Sequence, residues 1–136
     1  MGAGWGGVAG SLYARAEAQK LVVDGPDLYV AGTFTQTVEL GNTRLTTAQS
    51  AEAKNPGNSD VFIAKLHDTE KAGRFVWAQR VGGPEDEGAT ALVLQDQHLG
   101  VSGYFFSDTL AIGTRRLANP PAAGLSAFFA TLSLAH

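Results

Sequence analysis

Glu85, Asp86 and Glu87 are the densest group of chemically capable side chains in this 136-residue chain. Three carboxylates in one tight loop supply the kind of oxygen ligands that a hard cation such as Ca2+ takes. Their spacing does not follow an EF-hand, so a solvated, charged loop is the favoured reading, with Ca2+ as the one cofactor the sequence offers beside it. Glycoside hydrolysis needs two carboxyl groups facing each other across a pocket, which adjacent residues on one loop do not provide. Asp24 and Asp27 flank Gly25 and Pro26 and read as turn formers.

The other chemistries find less. His67, His98 and His136 have no ligand spacing. The chain has no cysteine, which excludes disulfides, thiolate metal sites and a cysteine nucleophile. Its serines stand in no G-x-S-x-G elbow. Gly2–Gly7 spells G-x-G-x-x-G, but a dinucleotide site requires a strand before it and a helix after it, and neither is signalled. No catalytic residue is expected, and the chain reads as a non-enzyme. Among the aromatic residues, Trp77 and Phe105 are expected to pack internally. Tyr104 and Phe106 flank Phe105 on a strand and so face away from it, which makes them the candidates for a ligand contact at the surface.

The elements that would position these residues are β-strands. The chain is 44% hydrophobic and 17% charged, a packed rather than disordered composition, and its 17 glycines punctuate short apolar runs as tight turns do. A net charge of −3, with Arg115–Arg116 as the only basic cluster, argues against nucleic-acid binding. No stretch has the apolar length of a membrane helix, and the first residues lack the basic and apolar regions of a signal peptide.

Self-similarity organises the chain. Trp5 and Gly10 recur at the same separation as Trp77 and Gly82. After a one-residue slip, Leu28, Val30, Gly32 and Phe34 match Leu99, Val101, Gly103 and Phe105. The slip then reverses, so that Val38, Leu40, Gly41 and Leu45 match Leu110, Ile112, Gly113 and Leu117. Last, Phe62, Ala64 and Leu66 match Phe128, Ala130 and Leu132. Anchors in the same order are the mark of a repeat architecture. Lys20–Val23 and Leu28–Gly32 form a hairpin around "DGPD", as Ala91–Leu94 and Leu99–Gly103 do around "QDQH". Val61–Leu66, apolar on both faces apart from Lys65, reads as a strand between two layers. Lys65 reads as a charge at a strand edge. "SLYARAEAQKL" is rich in helix formers, but the repeat favours a loop leading into a strand.

With these anchors placed, "DVFIAKL", "WAQRVGG", "PEDEG" and "LYVAGTF" resemble the bacterial β-propeller repeat family found in large secreted and surface-associated proteins. The second copies, "SAFFATL" and "LGVSGYF", depart from the pattern, and "WGGVAGS" keeps little beyond Trp and Gly. The resemblance implies an all-β fold of propeller-type blades with four antiparallel strands each, about two blades' worth, in a ring that one copy does not close. Residues 1–10 then hold a strand of a preceding or permuted blade, 11–83 a first blade, and 84–136 a second blade lacking its last strand. It further implies a non-catalytic scaffold, extracellular or on the cell surface, that presents a protein or glycan partner with its loops. The alternative is a lectin-like or enzymatic propeller whose site is formed by other blades. Neighbouring blades of a longer chain are the preferred completion. A homo-oligomer of three or four copies comes second, and a sandwich with Trp5 paired back onto the last strand third.

Overall fold

In the computed structural model the described residues are 9–10, 15–47, 59–68, 71–83, 86–107, 109–112, 115–118 and 125–134. Among them all regular structure is β, in antiparallel sheets none of which closes on itself. The strands are β1 (Ala9–Gly10), β2 (Arg15–Asp24), β3 (Asp27–Thr35), β4 (Thr37–Leu40), β5 (Thr43–Thr46) and β6 (Ser59–Asp68). They continue with β7 (Gly73–Gly82), β8 (Glu87–Gln95), β9 (His98–Phe105), β10 (Thr109–Ile112), β11 (Arg115–Ala118) and β12 (Ser126–Ser133). Strand β2 takes in most of the helix-forming run, because pairing with β3 along its length outweighs local propensity.

The largest sheet has the order β11-β10-β7-β6-β3-β2, and its last four members form an antiparallel meander. A second meander, β8-β9-β12, makes a three-stranded sheet, and β1-β4-β5 make a third. Turn chemistry sets the hairpins. Gly25, at φ 60°, opens the two-residue turn between Asp24 and Asp27. Asp96 and Gln97 both take positive φ between Gln95 and His98, the type I′ geometry that matches strand twist.

Both meanders carry a bulge at the same place, between Ala18 and Lys20 on β2 and between Ala89 and Ala91 on β8. Beside each bulge the facing strand has a glycine, Gly32 or Gly103. A Cβ there would strike the bulged strand's carbonyl oxygen, of Glu17 or Gly88, and the ring of Phe62 or Phe128. The aromatic pairs alongside match too: Phe34–Phe62 at 6.5 Å and 60°, Phe105–Phe128 at 6.4 Å and 56°.

Two apolar clusters hold the layers. Leu28, Val30, Phe34, Phe62, Ala64 and Leu66 line one face of the β2-β3-β6-β7 meander and pack against Val38, Leu40 and Leu45 of the β4–β5 hairpin. The opposite face, with Tyr29, Ala31, Val61, Ile63 and Val81, packs on Leu92, Leu99, Val101, Phe105 and Phe128 of the β8-β9-β12 sheet. Strand β6 is therefore buried on both faces, which is why its sequence is a nearly continuous apolar run. Lys65 is not at a sheet edge: it pairs with Tyr29 on one side and Trp77 on the other, its stem inside the sheet and its ammonium 5.7 Å from the Tyr29 ring centroid.

The two short hairpins reach across to other strands. Strand β10 extends the large sheet by pairing Ala111 with Gly82 and Ile112 with Val81. Strand β4 pairs in like manner with β1, Val38 with Gly10 and Glu39 with Ala9. Ala9–Gly10 thus lie with the hairpin on one face of the large sheet, whereas β12 belongs to the sheet on the other. Trp5, which the sandwich alternative would pair with the last strand, lies outside the described residues.

Candidate functional site

The acidic loop is drawn inward. Alternation along β8 sends Glu87 to the packed face, where the residue is 1% exposed. Its Oε1 accepts the Gly83 amide at 2.5 Å and its Oε2 meets Ser107 Oγ at 2.9 Å. Asp86 ties the loop to two strands: its Oδ1 accepts the Ser59 amide at 2.8 Å and its carbonyl accepts the Phe106 amide at 3.0 Å. Ser59 Oγ also donates to the Glu87 carbonyl at 3.2 Å. Glu85 lies outside the described residues.

Asp60, at the start of β6, is the second buried carboxylate of this junction, with Arg80 Nε 4.0 Å from its Oδ2. The two glycines of "VGGPEDEG" leave room for the cluster. A Cβ on Gly82 would collide with the Asp60 carboxylate, and one on Gly83 with Ser107. Burial pushes the Glu87 carboxyl up to about 8, the nearby Asp60 and Asp86 charges add to the rise, and the hydrogen bonds from Ser107 and Gly83 oppose it. Glu87 accordingly holds its proton at neutral pH, and the junction is a proton-binding joint between β6–β7 and β8–β9. No group of three or more His, Asp or Glu side chains placed to hold a metal ion occurs among the described residues.

Tyr104 and Phe106 stand on the outer face of the β8-β9-β12 sheet, 38% and 45% exposed, while Phe105 between them is buried. Their rings meet edge to face at 5.9 Å and 78°, with Tyr104 lying across Gly88. They form an aromatic pair at the surface.

One constellation was not legible from spacing. Asp27 Oδ1 lies 2.8 Å from His67 Nδ1, and its Oδ2 lies 3.7 Å from Lys65 Nζ. The His67 hydrogen bond and, after it, the Lys65 charge hold the Asp27 carboxyl below the usual carboxylate range against a desolvation penalty. Beyond Lys65, Trp77 tilts against Tyr29 at 6.5 Å, and a shallow groove of about 270 Å³ runs past Lys65, Trp77, Gln79 and Leu132. Strand register alone brings this group together: Asp27 faces His67, and Tyr29 faces Lys65, across β3 and β6.

No family model, curated protein or solved structure matches the chain.

Proposed function

We propose that the chain is a non-catalytic, propeller-type repeat segment that serves as a structural and interaction scaffold, in a larger secreted or cell-surface bacterial protein. The observation that carries this reading is the matched build of the two meanders. Each has the strand-to-strand hairpin, the bulge, the glycine beneath an aromatic ring and the paired phenylalanines at corresponding places. Each also has a short hairpin that reaches the end of a strand lying before it in the chain. Face-to-face stacking of the two meanders through one continuous apolar layer agrees with neighbouring blades. The chemistry agrees as well, since the acidic residues of the junction are spent on holding strands together.

Thermal melting and a glycan array test the scaffold reading together. The expected outcome is a midpoint unmoved by Ca2+, EDTA or sugars, and no glycan retained. A carbohydrate-binding alternative is favoured by one feature, the groove lined by Trp77, Gln79 and Lys65, whose ammonium contacts Asp27. Quenching or a blue shift of tryptophan emission that saturates with a glycan, and that Trp77→Phe abolishes, would move the assignment to that alternative.

A further inference from the structure

Among the described residues, the β8-β9-β12 sheet buries one face and leaves the other uncovered. Its outer face carries Val93, Tyr104, Phe106, Leu125 and Phe129, all among the exposed large apolar residues, with Phe129 at 68% exposure. Val93 and Phe129 meet over Gly100: a Cβ there would lie 3.0 Å from Val93 Cγ2 and 3.6 Å from the Phe129 ring. An apolar face of this kind on a soluble sheet marks an interaction surface.

Beside this face runs an open edge. Strand β12 pairs with β9 and has no neighbour on its other side among the described residues. Natural sheets guard such edges with charge, proline or bulges. Ser126–Ser133 contains no charged residue and no proline, and its register with β9 is unbroken.

The fold itself indicates the shape of what would cover both. In the large sheet, β6 corresponds to β12 through Phe62, Ala64 and Leu66, and its outer side is filled by β7, the strand that carries Trp77. The face bearing Ile63, which corresponds to Phe129, is covered by the next sheet. The chain has one other segment of the β7 type, Trp5–Gly10. Its described end, Ala9–Gly10, pairs with β4 much as Val81–Gly82 pair with β10, offset by one residue. Ala9–Gly10 are held by β4, whose hairpin packs on the opposite face of the large sheet from β12.

We propose that the outer edge of β12 and the bare face beside it are a docking surface for a second copy of this chain, whose Trp5–Gly10 segment adds to β12 as a fourth antiparallel strand. This rests on the propeller-type reading above and gives it a partner. Transferring the β6–β7 register sets Ala9 opposite Ala127, Gly7 opposite Phe129 and Trp5 opposite Thr131. A glycine facing Phe129 leaves room for the ring, and Trp5, two residues along on the same face, extends the cover over it. The contact is head to tail, so it propagates from copy to copy, into a ring where the rotation closes and an open chain where it does not.

The absence of native cysteine makes the test direct. Single variants Ala9→Cys and Ala127→Cys of the full chain are mixed under oxidising conditions and resolved without reductant. Paired strand positions lie within disulfide reach, so the expected product joins one variant to the other. The double variant is expected to give a ladder of linked chains. Sedimentation velocity should show association of the unmodified chain, weakened roughly 30-fold by Phe129→Lys, the loss of a hot-spot aromatic contact. A disulfide within one chain, a dimer of Ala127→Cys with itself, or an unmodified chain that stays monomeric at every concentration would overturn the proposal. A monomer whose far-ultraviolet spectrum is still β would leave the repeat-scaffold reading in place, so the two fail separately. If a cysteine variant loses that spectrum, sedimentation of the unmodified chain decides.

Discussion

Replacing Glu87 with glutamine tests whether the junction is a proton-holding joint. Glutamine has nearly the same shape: its carbonyl can accept the Gly83 amide, and its amide can donate to Ser107 Oγ once that hydroxyl turns from donor to acceptor. The sign follows from linkage. In the unfolded chain Glu87 ionises near 4.5, and in the folded chain near about 8. Below the first value both states hold the proton and no stability depends on it. Between the two the unfolded state binds fewer protons, so stability falls by about 1.4 kcal/mol per pH unit. Above the second value both states are ionised and the loss is complete, on the order of 5 kcal/mol across the window before relaxation of the site reduces it. Glu87→Gln should therefore match the natural chain near pH 4.5 and exceed its stability by several kcal/mol at pH 8.5, when unfolded by urea at a series of pH values. Parallel pH profiles for the two proteins would refute the reasoning, because the slope assigned to Glu87 would then belong to other groups.

The glycines beneath the phenylalanines give a paired test: Gly32→Ala and Gly103→Ala should each cost about 2–4 kcal/mol, read as a fall in melting temperature, since the new methyl has backbone on one side and a ring on the other. Asp86→Ala leaves the Ser59 amide without its side-chain acceptor and should cost about 1–2 kcal/mol in urea unfolding. Asp27→Asn should cost at most about 1 kcal/mol near neutral pH, because the pair is partly exposed. Since the folded Asp27 carboxyl ionises below its unfolded value, that difference is present above the unfolded value and disappears as pH falls through the folded one. Equal stability of Asp27→Asn and the natural chain at pH 7 would mean that the His67 contact contributes nothing.

Much of the β framework was legible because it depends on short-range pattern. The apolar run of β6 announced a strand covered on both faces, and the Asp-Gly-Pro-Asp turn announced its hairpin. Glu87 was not legible, because a run of adjacent acids reads as a solvated loop. Its burial comes from strand alternation that begins inside the loop, and from partners at Gly83 and Ser107 that only folding brings close. Lys65 was misplaced for a related reason: a charge in an apolar strand suggests an edge, whereas here the long stem lets the ammonium escape past Tyr29. The Asp27–His67 pair depends on register alone, which no local pattern of either residue reveals.

The reach of β10 across to β7 bears on how the molecule comes apart. Two meanders joined only by side-chain packing can melt one after the other, each at its own free energy. Here the last turn of β7 shares backbone hydrogen bonds with a hairpin that belongs, in sequence, to the later meander. Opening the later part breaks ladder bonds in the earlier sheet, and fraying of β7 unseats the hairpin. Amide exchange across the two should therefore follow one cooperative opening, with Val81–Gly82 and Ala111–Ile112 exchanging as a single unit.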